Sequence, residues 1–509
     1  MTRFALTAFC MLLLPSHLIG VNTTQSPTAS VRTYRSAHET QIVNEFVALL
    51  SIPNVADDSA NIDRNASLLI EMMTRRGIQA MRLPGDNSPP AVFGELRTPG
   101  ATRTIGFYAH YDGQPVDPSK WTTEPFKPIL RDKPLELGGR VIPLPSAGTK
   151  FDPEWRLYAR SASDDKAPII AMLTAIDALK AANIRLNANL KFLFDGEEEA
   201  GSPHLGGIVN RNADRLAADV WICADGPVHQ SRKQQLYFGV RGIVKVDITV
   251  YGANRALHSG HYGNWSPNPA MRLAKLLAGM KDERGRVLVD GFYNGVVPLG
   301  DDERRALKEL PATDSELMRE YGIAGTDGPG RTLAELINEP SLNIDGLRSE
   351  DVGRQSRTII PAEATATVDM RLVKGIEPRQ QVERLIAHIK KQGYFVVTDE
   401  PTQELRLKHP LIARVVSEEG YPAVRTPMSL PIVKKVIAAV EQAMGKKPLM
   451  LPTMGGSGPL WAIDVATRAP QVGVPIVNHD NNQHSSNENL RIQNLWDGIE
   501  IFAALMCMN

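Results

Sequence analysis

Three short apolar runs in the first half of the chain each lead into a segment rich in acidic or histidine side chains. The runs cover residues 104–109, 190–194 and 220–224, and the polar groups that follow them are His110, the Glu197–Glu199 triplet and Asp225. Runs of this length between helical patterns, such as the strong one over residues 167–182, are typical of buried strands. Strands that alternate with helices predict an α/β fold, with a central, mostly parallel sheet and helices on both of its faces.

Length and charge limit the remaining possibilities. A chain of 509 residues is too long for one compact core and is expected to form two or more domains. Lysine plus arginine and aspartate plus glutamate both total 57, so there is no excess of basic charge for binding nucleic acid or anionic membranes. Beyond residue 20 the cysteines are Cys223 and Cys507, which excludes a disulfide framework. The composition favours a globular protein with a small-molecule partner.

The pattern of hydrophobic residues changes near residue 239. Residues 243–250 and 364–370 alternate between apolar and polar side chains, as expected of strands with one exposed face. The α/β pattern then resumes and continues to a helix near residues 495–506. We therefore predict an inserted α+β domain at residues 239–400, which divides the first domain into residues 37–238 and 401–509.

The first twenty residues have the features of a secretory signal peptide. One basic residue, Arg3, precedes an apolar run over residues 4–14 that is too short to span a bilayer. Leu18 stands where a signal peptidase prefers a small residue, so a retained apolar anchor is the alternative. With residues 1–20 as a signal peptide, we expect a periplasmic or secreted rather than a cytoplasmic protein, with no stable membrane span after processing.

Five segments supply side chains that are able to bind a metal ion, and most of them follow a predicted strand. The candidates are His110 with Asp112, Asp164, Glu198 with Glu199, Asp225, and His484. Taken singly, the acidic triplet is compatible with a solvated turn, and Asp164 with the cap of the next helix. Together they would meet beyond the carboxyl ends of the strands, where clustered carboxylates repel one another unless a cation holds them. Carboxylates and two imidazoles without a thiolate suit a catalytic rather than a structural zinc site.

Several motifs occur in an order that is typical of one enzyme family. They are His-x-Asp at 110–112, Ser-x-Ser-Asp-Asp-Lys at 161–166, Glu-Glu-x-Gly-Ser at 198–202, Leu-His-Ser-Gly at 257–260 and His-Ser-x-Asn-Glu at 484–488. From about residue 37 to its end, the chain resembles the co-catalytic zinc peptidases and amidohydrolases, which include carnosine dipeptidases, glutamate carboxypeptidases and aminoacylases. It departs from the family at Ala159, Ser161 and Ala167, where glycine is usual, and at Ser486, where proline is usual. None of these changes alters a ligand, but they leave the substrate open.

The resemblance implies a zinc exopeptidase-like fold and a role for each candidate. The implied ligands form two sets, His110, Asp164 and Asp225 for one zinc ion and Asp164, Glu199 and His484 for the other, with Asp164 as the bridge. Co²⁺ or Mn²⁺ would fit the same two sets. A bridging hydroxide would be the nucleophile and Glu198 the general base, while Asp112 would hold the second nitrogen of His110.

The resemblance also implies substrate contacts from the inserted domain, which in this family is a lid and dimerisation domain. His258 would reach across the interface of a homodimer to stabilise the oxyanion of the reaction, although a surface histidine is the alternative. Arg371 would clamp a substrate carboxylate, although a surface ion pair with Asp369 fits the same pattern. Thr358 and Ser457 match positions that contact the substrate, and both also fit ordinary turns.

We therefore expect a di-zinc metallopeptidase of the dipeptidase or exopeptidase class, acting on the amide or peptide bond of small substrates with a free carboxylate. Hydrolysis of N-acyl amino acids at the same site is the alternative activity. A third possibility is a solute-binding protein that retains the fold without the chemistry, but a mere binder would not require a metal-free acid such as Glu198. The preferred side chain of the substrate stays open.

Overall fold

The computed structural model describes residues 27–508 of the chain. Its strands are β1 (Gln79–Leu83), β2 (Ala91–Leu96), β3 (Thr104–His110), β4 (Ile129–Arg131), β5 (Val141–Ile142), β6 (Arg156–Tyr158), β7 (Asn189–Asp195), β8 (Val220–Cys223), β9 (Gln235–Tyr237), β10 (Gly239–Tyr251), β11 (Leu257–His258), β12 (Ser341–Arg348), β13 (Ile359–Ile360), β14 (Glu363–Leu372), β15 (Phe395–Val397), β16 (Ile412–Ser417), β17 (Val424–Arg425), β18 (Leu449–Leu451), β19 (Met454–Ser457), β20 (Gln471–Gly473) and β21 (Asn489–Arg491).

Helices precede the first strand, follow the last, and lie between several of the others. The α-helices are α1 (Pro27–Leu50), α2 (Ser59–Thr74), α3 (Lys166–Ala181), α4 (Leu205–Arg211), α5 (Ala213–Leu216), α6 (Ser259–Tyr262), α7 (Pro269–Ala278), α8 (Asp301–Glu309), α9 (Asp314–Glu320), α10 (Leu333–Leu336), α11 (Pro378–Lys391), α12 (Gln403–Lys408), α13 (Pro431–Met444), α14 (Leu460–Thr467) and α15 (Ile492–Met506). Single 3₁₀ turns cover Pro118–Lys120, Leu135–Leu137, Glu198–Ala200 and Gly353–Gln355.

The larger sheet has eight strands in the order β1-β2-β7-β3-β8-β20-β9-β18. Its four central strands, from β7 to β20, are parallel to one another. One face packs against α1, α3, α13 and α15 and the other against α4, α5 and α14, so alternate side chains such as Phe107 and Tyr108 enter two different hydrophobic cores. Burial on both faces explains why the predicted strands are continuous apolar runs. The predicted fold class is confirmed.

The smaller sheet has the order β12-β14-β10-β16-β15, with β17 and β19 paired to the first residues of β10. Val244, Val246 and Ile248 lie in a separate core together with residues of α7 and α11, whereas Asp247 on the opposite face is exposed. β16 belongs to this sheet, because Ile248 lies opposite Val415. This strand lies beyond the predicted boundary at residue 400, because the partner of so short a strand is set by tertiary contacts.

The helix that packs on the first domain includes residues before residue 37. Helix α1 starts at Pro27, Val31 is completely buried, and Arg32 donates to both carboxylate oxygens of Glu500 in α15 at 2.9 and 2.7 Å. This segment is polar overall, so its single buried face was not evident from the sequence. The predicted signal peptide, residues 1–20, lies outside the described residues. No helix within residues 27–508 combines the length and the apolar character needed to cross a membrane.

Candidate metal centre

The carboxyl ends of the four central strands lie side by side at one edge of the larger sheet. The polar segments found there are His110 at the end of β3, the Glu198–Ala200 turn after β7, Asp225 two residues after β8, and the loop with His484 after β20. Asp164 joins them from the segment that precedes α3. Parallel strands place their carboxyl ends at the same edge, so segments far apart in sequence meet in one crevice.

Asp164 lies between the two histidines of the predicted ligand sets. Its Oδ1 is 2.9 Å from Nε2 of His110, and its Oδ2 is 3.2 Å from Nε2 of His484. The same nitrogen of His484 is 3.2 Å from Oε2 of Glu199. Ligand atoms of His110, Asp164 and Glu199 lie within 4.8 Å of one another. A carboxylate whose two oxygens face different imidazoles has the geometry required to bridge two cations.

A second group of possible ligands contains a residue that was not among the predicted ones. Ligand atoms of His110, Asp165 and Asp225 also lie within 4.8 Å of one another. Oδ2 of Asp165 accepts the backbone N–H of His110 at 3.3 Å, and its Oδ1 has no hydrogen-bond partner among residues 27–508. Burial, reinforced by Asp225, raises the pKa of Asp165 well above its usual range. The sequence shows two adjacent aspartates, but only the fold shows that both face the crevice.

Asp112 organises two parts of the centre at once. Its Oδ1 is 3.3 Å from Nδ1 of His110, the position predicted for it, and this leaves Nε2 of the ring directed at Asp164. Its two oxygens also accept the backbone N–H groups of Glu198 and Glu199, each at 3.0 Å. Because this carboxylate is completely buried, it holds the histidine and the glutamate turn in one fixed relation.

Glu198 stands beside the ligands but belongs to neither group. Its Oε2 is 4.0 Å from Nε2 of His110, whereas the adjacent Glu199 is one of the clustered ligands. Gly201 ends the turn with a φ of +89°, a left-handed conformation that glycine tolerates best. Burial raises the pKa of Glu198 well above its usual range, against the opposing effect of His110. A carboxyl group that lies beside the candidate ligands without being one of them is placed for acid–base catalysis.

The cluster contains more negative charge than its two imidazoles balance. Burial and the charge of Asp164 raise the pKa of Glu199 to about 8 and that of Asp225 to about 6. The hydrogen bond with Asp164 raises the pKa of His484 to about 9. Burial acts to lower the pKa of His110, but neighbouring carboxylates outweigh it and raise this pKa well above its usual range. Divalent cations would take the place of these protons, so the donor set fits a metal centre.

Lys166, the first residue of α3, anchors the segment that carries Asp164. The side chain is completely buried, and its Nζ donates to the backbone carbonyl of Leu49 at 3.0 Å and to Oδ1 of Asn65 at 2.8 Å. Burial lowers the pKa of Lys166 to about 7. Leu49 lies in α1 and Asn65 in α2, so the start of α3 is held against the first two helices.

Arg371 and Ser457, two of the predicted substrate-binding residues, lie together. Arg371 in β14 donates from Nη1 to Oγ of Ser457 at 2.9 Å and from Nε to Oδ2 of Asp369 at 2.8 Å. The ion pair considered in the sequence is thus present, but it occupies only one side of the guanidinium. A Cβ atom on Gly458, the next residue after Ser457, would lie 3.9 Å from Oε1 of Glu198. This loop therefore joins the arginine to the edge of the metal centre.

Two polar residues near the centre were not predicted. Nε2 of Gln114 donates to Oε2 of Glu199 at 2.8 Å. The ring of Tyr421 stacks on Trp461 with centroids 5.9 Å apart, and burial together with the carboxylate of Glu198 raises the pKa of Tyr421 to about 12. The phenol is therefore a hydrogen-bond donor at neutral pH. Tyr421 belongs to no motif. Gln114 lies two residues after the His-x-Asp motif at 110–112, and this proximity was the one sequence signal for it.

His258 and Thr358 lie together in the smaller domain and apart from the other candidates. The backbone N–H of Ser259 donates to the carbonyl of Thr358 at 3.0 Å, and β11 pairs with β13. His258 is exposed, and its Nδ1 accepts the backbone N–H of Gly260 at 3.1 Å. In the part of the chain that the structure describes, neither side chain forms a hydrogen bond or ion pair with the clustered ligands. The described chain therefore does not by itself connect these two residues to the candidate ligands.

A mostly parallel sheet with a carboxylate-rich crevice at its carboxyl edge, joined to an inserted second domain, defines the zinc exopeptidase-like fold. The chain belongs to peptidase family M20/M25/M40, whose family model matches residues 106–507. It is 27% identical to the human β-Ala-His dipeptidase over 427 residues, and the alignment covers 82% of this chain and 76% of that relative. It is also 27% identical to a Cys-Gly metallodipeptidase of Schizosaccharomyces pombe over 481 residues, and this alignment covers 90% of this chain and 94% of that relative.

A solved structure is similar over nearly the whole chain. It is that of an M20 family metallo-carboxypeptidase from Sulfolobus solfataricus, with a TM-score of 0.76 and 27% identity, covering 92% of this chain and 98% of the other. The family inferred from the motifs is thereby confirmed, and the protein is an enzyme of the metallopeptidase class.

Proposed function

We propose that this metallopeptidase hydrolyses the amide bond of a dipeptide or a similarly small substrate that carries a free carboxylate. The position of Asp164 carries the proposal, because its two oxygens face His110 and His484 while the neighbouring Glu198 belongs to neither ligand group. The dipeptidases among the relatives and the carboxypeptidase among the similar structures support a small substrate with a free carboxyl end.

The clustered side chains would hold two divalent cations. We assign one to His110, Asp164 and Asp225 and the other to Asp164, Glu199 and His484, with Asp165 beside the first set. Such a pair polarises the scissile carbonyl and lowers the pKa of water. Oxygen and imidazole ligands fit Zn²⁺, and the same donors accept Co²⁺ or Mn²⁺.

Glu198 then acts as the general base and general acid. It takes the proton from the attacking water and passes it to the leaving amine. Asp112 keeps this glutamate in place through its backbone N–H group and orients His110 through Nδ1.

Arg371 is assigned to the substrate carboxylate, and this role predicts a selective loss. We expect Arg371→Met to lower kcat/KM for dipeptides by about 10- to 150-fold, the value of one charged hydrogen bond. The corresponding dipeptide amides, which have no carboxylate, should be hydrolysed at the wild-type rate. Arg379→Met is the matched control, because Arg379 is exposed and pairs with Glu383 in the same domain. An equal loss for both kinds of substrate would contradict the clamp.

A substrate panel tests the reaction itself. Dipeptides are compared with N-acetyl and N-succinyl amino acids, using protein loaded with Zn²⁺ and then treated with a chelator. We expect chelator-sensitive turnover that is faster for dipeptides. Faster turnover of the acylated amino acids would replace the proposal by the amidohydrolase alternative, and metal binding without turnover would favour a solute-binding role.

We further propose that the protein is a homodimer in which His258 and Thr358 act at the partner's metal centre. Both side chains are exposed and separate from the ligands of their own subunit, as a role in trans requires. Trp265, four-fifths exposed, and Tyr262 lie beside His258 on the same surface, which is the kind of aromatic surface that interfaces bury. His258 would donate to the oxyanion that develops on the substrate carbonyl.

Mixing two inactive variants checks this arrangement. Glu198→Gln retains His258, and His258→Ala retains Glu198, so a mixed dimer has one complete site if the histidine acts in trans. Random assembly should then restore about a quarter of wild-type activity from two nearly inactive proteins. Light scattering should give the mass of a dimer for the wild-type protein and for both variants. Mixtures that remain inactive, or a fully active monomer, would exclude the role of His258 in trans.

The location of the protein remains a proposal from the sequence. Residues 1–20 have the features of a signal peptide, so we propose a periplasmic or secreted enzyme. Sequencing the amino terminus of the protein purified from its native source tests this, with a start near residue 21 expected.

A further inference from the structure

The loop that carries His484 is held at two points by buried arginines from the segment that carries Asp164. Arg156 in β6 donates to Oδ1 and Oδ2 of Asp480 at 3.0 and 2.8 Å. Four residues later, Arg160 donates to Oε2 of Glu488 at 2.8 Å. Both arginines and Glu488 are at most 3% exposed. Asp480 and Glu488 stand on either side of His484, so the two segments are pinned together around the metal centre.

Glu488 does more than neutralise an arginine. Its Oε2 also accepts the backbone N–H of Ser161 at 2.9 Å. Its Oε1 accepts the backbone N–H groups of Ser163 and Asp164 and the hydroxyl of Ser163, each at 2.9 Å. One carboxylate is thus surrounded by five donors from residues 160–164, and one of them is the backbone of Asp164 itself.

The backbone on both sides of this contact has conformations that its residues rarely adopt. Ser161 has a φ of +62° and His484 a φ of +59°. Both values lie in the left-handed region, which residues other than glycine rarely adopt. Conformations of this kind persist only where surrounding contacts impose them. The five bonds to Glu488 supply such contacts for the segment before Asp164.

We propose that Glu488 is a positioning residue for the metal centre, which sets Asp164 relative to His484 before a cation binds. The inference rests on the proposed function, because it requires these two side chains to be ligands. The side chains of Asp164 and His484 are 3.2 Å apart, although their two segments are more than 300 residues apart in the chain. Glu488 belongs to the segment of His484 and is hydrogen-bonded to the segment of Asp164. Partners of this kind typically change metal affinity by about 10- to 100-fold when they are removed.

A purely structural role is the competing explanation, because breaking any buried ion pair lowers stability. Glu45→Gln is a control matched for that effect. Glu45 accepts two bonds from the buried Arg76, at 2.9 and 2.8 Å, and Arg76 also pairs with Asp177. Asp177 lies eleven residues beyond Lys166 in α3, which is about 16 Å along the helix and away from the metal centre.

The test compares Glu488→Gln, Glu45→Gln and wild type by the affinity for Zn²⁺ and by the melting temperature of the metal-free protein. Affinity is measured at 25 °C by competition with a chromophoric chelator. We expect both variants to melt at lower temperature, but only Glu488→Gln to bind Zn²⁺ about 10- to 100-fold more weakly. A Glu488→Gln protein with wild-type affinity would overturn the inference, and so would an equal loss in the Glu45 variant.

A second variant covers the case in which Glu488→Gln does not fold. Ser163→Ala removes one of the five donors and leaves every charge in place, and we expect a smaller but measurable weakening of Zn²⁺ binding. Unchanged affinity in that variant would overturn the inference. Wild-type protein that binds no divalent cation would contradict the proposed function first, whereas tight binding by wild type and by Glu488→Gln alike would contradict the positioning role alone.

Discussion

Glu198→Gln should lower kcat by about 10²- to 10⁴-fold, the usual contribution of a general acid–base group, while the protein keeps its full metal content. The amide has nearly the same shape as the acid, but it neither accepts the proton of water nor returns it to the leaving amine. Glu198 is adjacent to the proposed ligand Glu199 yet outside both groups of possible ligands, so metal binding should survive. Steady-state kinetics together with metal analysis of the same sample measure both effects.

The preceding glutamate provides the control for this substitution. Glu197 is buried and accepts the backbone N–H of His204 at 2.7 Å, outside the two ligand groups. Glu197→Gln should therefore leave kcat near the wild-type value even if it lowers stability. Undiminished turnover in Glu198→Gln would end the proposed role, and a loss of bound metal in that variant would reassign Glu198 as a ligand.

Asp164→Asn should have the largest effect on metal binding, because one carboxylate faces both histidines of the centre. The amide keeps one oxygen and replaces the other with a donor that cannot bind a cation. We expect the affinity for both cations to fall by more than about 100-fold, which exceeds the loss that follows removal of a residue hydrogen-bonded to a ligand. Activity should fall with the affinity. Competition with a chelator measures affinity, and the metal-dependent rise in melting temperature should largely disappear.

Asp165→Asn distinguishes the two adjacent aspartates. Asp165 is grouped with His110 and Asp225 but is not paired with His484. Under the proposed assignment its substitution should disturb one cation and leave the other bound. If Asp165→Asn lost both cations and Asp164→Asn kept one, the bridge would have to be reassigned to Asp165.

Much of the fold and the centre was predictable from local sequence. Continuous apolar runs such as residues 190–194 indicated strands buried on both faces, and β7 covers Asn189–Asp195. Polar residues that directly follow such runs must lie at the carboxyl edge of a parallel sheet, so His110, Glu199 and Asp225 were predicted to meet. The five predicted ligands do lie in one crevice. Strand direction accounts for His110, Glu199 and Asp225, whereas Asp164 arrives from the segment before α3 and His484 from a long loop after β20.

Other features depend on contacts that no local pattern records. Asp165 faces the crevice beside Asp164, and β16 pairs with β10 beyond the predicted boundary at residue 400. Arg371 is bonded to Ser457, although the two are 86 residues apart in the chain. In each case, packing between distant segments determines the direction of a side chain or the partner of a short strand.

The amino-acid sequence by itself determined the alternation of strands and helices, the edge of the sheet where the acids collect, and the residue types that suit a divalent metal centre. These follow from hydrophobic periodicity and ligand chemistry, which act over a few residues. Only the tertiary structure decided which oxygen faces which imidazole, and it placed His258 and Thr358 side by side in the smaller domain. Distances of about 3 Å between side chains from distant segments depend on the packing of the whole domain, which local sequence does not encode.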